Sequence, residues 1–245
     1  MSAAYRRPVS NESRIVEQRQ PSRILVANAK GGCGKTTLAT NTAAHFAKEG
    51  GSVALIDYDP QGSSTQWLQA RNESLPNIYS VAAFRRGDTH STRSFQRKVP
   101  PDTSHVVIDT PAGLADNELS DVIRQCDVIL IPVVPSAIDI RAATGFIKDV
   151  LLSPGFRAMP KPIAVVANRV KRNTLGYSKL EIFLNSLNIP FVTSLRDTQH
   201  YVRAAEYGMG IFDFSQPSLK DMEEWKPLLQ WLKLHVEKSQ KKQKG

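Results

Sequence analysis

Lys30-Gly31-Gly32-Cys33-Gly34-Lys35-Thr36-Thr37 lies between a short apolar run, Ile24 to Ala27, and a helix-like stretch, Thr36 to Glu49, which Gly50 and Gly51 bring to an end. A strand that feeds a glycine-rich turn and then a helix brings free backbone N–H groups and the positive end of the helix to one point. Such a point suits an anion, phosphate above all. Gly31, Gly32 and Gly34 let the main chain curl around phosphate oxygens, the Lys35 ammonium neutralises their charge, and the Thr36 hydroxyl is a ligand for Mg²⁺. Val53 to Ile56 reads as the next buried strand, completing a strand-helix-strand unit whose right-handed crossover makes the two strands parallel.

Three more apolar runs, His105 to Ile108, Val128 to Val134 and Ile163 to Ala167, alternate with helix-like stretches around 116–125, 138–152 and 178–187. Phe191 to Thr193 adds a further candidate strand. Apolar runs of this kind are strands covered on both faces, so the expected fold is α/β: a doubly wound, mostly parallel β-sheet flanked by helices, the P-loop NTPase arrangement. Residues 1–22 are polar, contain Pro8 and Pro21 and read as a flexible basic arm. Residues 23–237 are expected to form one P-loop domain closed by a helix over 218–237, and residues 238–245 a lysine-rich tail with Lys238, Lys241, Lys242 and Lys244.

Composition narrows the class. The 245 residues are 41% hydrophobic, and no apolar run reaches the roughly 20 residues of a membrane helix. The N-terminal stretch has no apolar core of a signal peptide, so a cytoplasmic protein is expected. The only cysteines, Cys33 and Cys126, have neither disulfide-framework nor metal-site spacing. Thirty-two Lys and Arg against 23 Asp and Glu leave a net charge of +9, which favours a polyanionic partner, either nucleic acid or an anionic membrane surface.

Two further strands end in acids. Val53 to Ile56 runs into Asp57-Tyr58-Asp59-Pro60-Gln61-Gly62, and Val106-Val107-Ile108 into Asp109-Thr110-Pro111-Ala112-Gly113. Ligands of open α/β sheets bind at the carboxyl ends of strands, so these acids are expected to face the phosphates, with Asp109 holding Mg²⁺ directly or through water. Asn168 ends the Ile163 to Ala167 run.

The lysine-first loop, with Ala29 where the general P-loop pattern has glycine, resembles the deviant Walker A box of the ParA/MinD ATPases, closest to the small ParA-type partition and positioning ATPases. The resemblance runs from Ile24 to about Gly210 and is most specific at the loop and at Asp57-x-Asp59-Pro60-Gln61. It implies that Lys30 reaches across a homodimer to the partner's nucleotide, that Asp59 positions the attacking water near the metal, and that Asp57 supports the metal shell. It implies that Gly31 through Thr37 hold ATP and that Asn168 reads adenine, the alternative for Asn168 being a turn after a strand. The implied cofactors are ATP and Mg²⁺, and hydrolysis is a slow, partner-stimulated timer that dissolves an ATP-held dimer.

In the ParA branch the dimer binds nucleoid DNA without sequence preference and is stimulated by a ParB-like or cargo-adaptor protein. The corresponding DNA-binding candidates here are Arg196, Arg203, Lys220 and Lys226, with Lys233 extending them and a solvated helix face as the alternative. Arg6, Arg7, Arg14, Arg19 and the lysine tail add sequence-independent charge. A MinD-like membrane cycle is the rival, and it requires the closing helix with Trp225, Leu228, Leu229, Trp231, Leu232 and Val236 to lay an apolar face on lipid; packing on the sheet is the expected use. An ATP-dependent metabolic ligase of the same fold is the second alternative.

Overall fold

The computed structural model describes residues 20–84, 99–171, 174–186 and 189–242. The expected arm lies outside the described residues up to position 19, and the tail does so from 243 onward. Among the described residues, the strands are β1 (Ser22–Val26), β2 (Val53–Asp57), β3 (Ile78–Ala82), β4 (His105–Asp109), β5 (Val128–Val133), β6 (Ile163–Val170) and β7 (Phe191–Arg196). They form a single sheet in the order β3-β2-β4-β1-β5-β6-β7, with every neighbouring pair parallel. The helices are α1 (Lys35–Lys48), α2 (Ser63–Ala70), α3 (Asp116–Gln125), α4 (Ala137–Leu152), α5 (Pro154–Ala158), α6 (Leu175–Ser186), α7 (Gln199–Glu206) and α8 (Leu219–Lys242), with a short 3-10 turn at Ile211–Asp213.

Strand periodicity explains the two-sided core. Ile24 and Val26 of β1 face one layer, where they join Leu38 and Ala43 of α1 and Trp225, Leu228 and Leu232 of α8. Leu25 and Ala27 face the other, with Leu119 and Ile123 of α3 and Phe146 and Ile147 of α4. The sheet is therefore doubly covered, as the unbroken apolar runs demand. The closing helix is part of this core: Trp225, Leu228, Leu232 and Val236 are buried and Leu229 and Trp231 pack beside them, so its apolar face is already occupied by the sheet. Among the described residues, no helix is long and apolar enough to cross a membrane.

Strand order places the chemistry. β4 lies between β1 and β2, and register pairs Val26 with Asp109 and Asp109 with Asp57. The three strand ends that lead into the glycine-rich loop, the Asp57 segment and the Asp109 segment are thus neighbours on one edge, although up to 83 residues separate Val26 from Asp109 in the chain.

Candidate nucleotide and metal site

The loop after β1 turns on two glycines in the left-handed region, Gly32 (φ 76°) and Gly34 (φ 89°), and Gly34 caps the N-terminus of α1. No side chain caps α1 and no acid stands in its first turn, so the end of the helix keeps its N–H donors and its positive potential. A side chain at Gly34 would also collide with Asn168, whose Nδ2 lies 2.0 Å from where a Cβ would sit. The loop is braced from within. Asn28 Oδ1 accepts from the Lys30 N–H at 3.2 Å, and the Lys30 carbonyl accepts from Cys33 Sγ at 3.2 Å and from Lys35 Nζ at 3.0 Å. Lys35 is buried and spends one of its three donors on this contact, keeping two for a phosphate. Lys30 is partly exposed.

The two acidic strand ends differ in their bonding. Asp57 accepts from the Asp59 N–H with Oδ1 at 3.0 Å, and from the Thr65 N–H and hydroxyl with Oδ2 at 2.9 Å each, so both its oxygens are engaged and it holds the segment in shape. Asp59 is half-buried, faces the cavity beside the loop, and accepts from the Gln61 N–H at 2.9 Å. Asp109 is fully buried; Ser64 Oγ donates to its Oδ2 at 2.5 Å, while Oδ1 has no partner among the described residues. Burial pushes its carboxyl up to about 6, against the Ser64 and Thr36 hydroxyls, with Asp57 adding to the rise and Lys35 opposing it.

The buried Asp109 carboxylate, with Oδ1 outside hydrogen-bonding geometry and the Thr36 hydroxyl beside the group, is an oxygen donor set suited to a hard divalent cation, and Mg²⁺ fits it. Thr36, Asp109 and Asp59 are the residues that would hold it.

The cavity is about 470 Å³, with the loop as its floor and Asp59, Asn168, Arg196, Thr198 and Tyr201 in its walls. Asn168 bridges floor and wall: its Nδ2 donates to the Cys33 carbonyl at 2.9 Å and its Oδ1 accepts from the Arg169 N–H at 3.0 Å. Its amide keeps one N–H and one lone pair uncommitted. Arg169 itself sits at φ 53°, a left-handed conformation for a non-glycine residue at the mouth of a ligand cavity.

The proposed DNA contacts fall into two groups. Arg196 is engaged internally: its guanidinium pairs with buried Asp221 at 2.6 Å and donates to Ser218 Oγ at 3.2 Å, and its side chain is 21% exposed. Arg203 on α7 and Lys220, Lys226 and Lys233 on α8 are exposed. Lys226 and Lys233, seven residues apart, share one face of α8 beside a groove floored by Phe46, Phe212 and Leu229. Both cysteines are buried and bonded to backbone, Cys33 to the Lys30 carbonyl and Cys126 Sγ to the Ile123 carbonyl at 3.3 Å.

Sequence reasoning missed Ser64 and Thr65, the hydroxyls that hold the two buried acids, and Thr198 and Tyr201 in the cavity wall. Ser and Thr in the first turn of a helix read as helix starters, and nothing local distinguishes that use from this one.

A model of the CobQ/CobB/MinD/ParA nucleotide binding domain matches residues 24–211. The maintenance of carboxysome distribution protein A of Halothiobacillus neapolitanus is 31% identical over 195 residues, covering 77% of this chain and 86% of that protein. The protein of the same name from Gloeobacter kilaueensis is 28% identical over 205 residues, covering 83% and 89%. A plasmid partition protein of Borrelia burgdorferi B31, described as putative and solved with AMPPNP, superposes with a TM-score of 0.67 at 19% identity, over 87% of this chain and 99% of that one.

Proposed function

This chain belongs to the CobQ/CobB/MinD/ParA nucleotide-binding family, and we propose that it is an ATP-driven dimerising switch that binds nucleoid DNA without reading its sequence and thereby positions a cargo. The observation that carries this reading is the convergence of a lysine-first glycine loop with Asp59 and a buried, half-satisfied Asp109 on one sheet edge. Positioning of a cargo is supported by likeness, over most of both chains, to proteins named for carboxysome distribution.

ATP seats its phosphates on the N–H groups of Gly31 to Thr37 at the start of α1, with Lys35 against the β and γ oxygens. Mg²⁺, when bound, neutralises charge that builds on the phosphate oxygens. Asp59, fixed by its Gln61 and Asp57 contacts, orients the attacking water. Asn168 meets the adenine edge. Lys30, partly exposed, completes the nucleotide site of a second copy, so that hydrolysis weakens the dimer. A protein that binds DNA only as a dimer then leaves DNA when ATP is cleaved. Exposed Arg203, Lys220 and Lys226 are the proposed phosphate contacts, with Arg196 ordering the helices that carry them. A ParB-like or cargo-linked adaptor sets the timing.

Sedimentation velocity with ATP and Mg²⁺ tests the switch. The Asp59→Ala protein is expected to accumulate as a dimer, and Lys30→Ala to remain monomeric while binding a fluorescent ATP analogue as the wild type does. Dimerisation of Lys30→Ala equal to that of Asp59→Ala would remove the cross-subunit lysine from the account.

A further inference from the structure

α2 follows the Asp57–Asp59 segment, and its two ends are tied to different parts of the molecule. At its N-terminus, Ser64 Oγ donates to Asp109 and Thr65 holds Asp57 through both its N–H and its hydroxyl. At its C-terminus, Trp67 Nε1 donates to the Met209 carbonyl at 3.1 Å, and Arg71, just past the helix, donates to the Gly208 carbonyl and to Asp213, each at 2.8 Å. Ser64 and Trp67 are spaced i, i+3 on one side of α2, and Arg71 follows its last residue.

The distal tie is buried and tight. The Arg71 and Asp213 side chains are 5% and 1% exposed, the Arg71 guanidinium lies 5.3 Å from the centroid of Trp67, and a Cβ at Gly208 would come within 2.2 Å of the Arg71 nitrogen. The segment so held, Gly208 to Asp213, directly follows α7, whose helix carries Arg203. Between α1, α2 and α7 lies a half-open cavity of about 310 Å³, lined by Thr36, Ser63, Trp67, Tyr201 and Met209.

We propose that α2 is the strut through which occupancy of the metal site reaches α7, with Ser64 as the positioning residue that holds Asp109 and Arg71 as the distal grip, a role that rests on the nucleotide-site reading above. Ser64 keeps one oxygen of Asp109 fixed and leaves the other for the cation. Any shift of Asp109 on cation binding draws the first turn of α2 with it. A helix of eight residues, about 12 Å long, moves as one body, and Trp67 and Arg71 carry the shift to the end of α7.

Hydrogen exchange of the α7 amides in the full-length protein separates this from a direct effect of nucleotide, because α7 also lines the nucleotide cavity. Exchange is compared with ATP plus Mg²⁺ and with ATP plus EDTA, and the difference is the metal-dependent part. Wild type is expected to show that difference. Ser64→Ala is expected to lose it and to need more Mg²⁺ for half-maximal binding of a fluorescent ATP analogue, with both restored in Ser64→Thr. Arg71→Lys, or Trp67→Phe if that variant does not fold, is expected to lose the α7 difference with a smaller change in the Mg²⁺ requirement than Ser64→Ala shows, because only the coupling and not the Asp109 contact is removed. A metal-dependent α7 response that survives in Ser64→Ala and in the distal variant overturns the strut. Wild type that binds ATP but shows no metal-dependent α7 difference overturns it too, leaving the nucleotide site intact; wild type that binds no ATP sinks the site reading itself.

Discussion

Asp109 shows how one residue reports the chemistry of the site. A carboxyl raised from 3.8 to about 6 by burial favours its protonated form, so its contribution to stability is fully present below the unfolded value and is lost as pH rises through about 6. The nucleotide-free Asp109→Asn protein should therefore melt above the wild type at pH 7, with the gap closing as pH falls from 6 toward 4, as scanning calorimetry across that range will show. A constant gap would mean that Asp109 is ionised at little cost and has less need of a cation. Lys30, Lys35, Asp59 and Asp109 were all legible as residues, because strand-loop-helix and strand-acid patterns are local. The bonding that separates well-bonded Asp57 from half-satisfied Asp109 was not, since it depends on Thr65 turning back on the preceding strand and on Ser64 reaching a strand 45 residues away.

At the scale of elements, the strands on both sides of β1 and the helices α1, α3, α4, α6 and α8 follow from apolar runs and helical periods. The shorter α2, α5 and α7 and the edge strand β3 did not announce themselves. In β3 only Ile78 and Val81 are buried, too few apolar positions to stand out from a loop. The Arg71–Asp213 pair joins residues 142 apart, and charged residues carry no local sign of burial. Helix α8 reads as amphipathic and is expected to pack on the sheet, and its neighbours in the core bear that out. Trp225 decides it here: it is fully buried, packs edge-on against Phe212 at 5.3 Å and donates to the Tyr201 hydroxyl at 2.8 Å. Trp225→Ala should cost about 3–5 kcal/mol in urea unfolding, whereas Leu234→Ala, at an exposed position of the same helix, should change stability by no more than ~0.5 kcal/mol. Equal, small losses at both sites would mean that the helix is loosely docked and free for another surface.

For the molecule as a whole, the net charge of +9 favours a polyanionic partner, and the described residues place exposed basic side chains on two helices. Arg203 stands on α7 and Lys220 and Lys226 on α8, two helices cross-linked by buried Asp221, which takes Arg196 at 2.6 Å and His200 at 2.5 Å. A charge-reversing Arg203→Glu variant should weaken duplex binding and flatten the plot of log affinity against log salt by about 0.9 for each phosphate no longer neutralised, in a filter-binding or anisotropy series, with nucleotide affinity unchanged. An unchanged slope would place the DNA face elsewhere. The proposed ATP-dependent binding to DNA is measured with the Asp59→Ala protein, in ATP and Mg²⁺, on non-specific duplex DNA and on anionic liposomes across a salt series. ATP-dependent, salt-sensitive binding to DNA and none to liposomes is the predicted result; binding to liposomes alone, or to neither, would contradict the account.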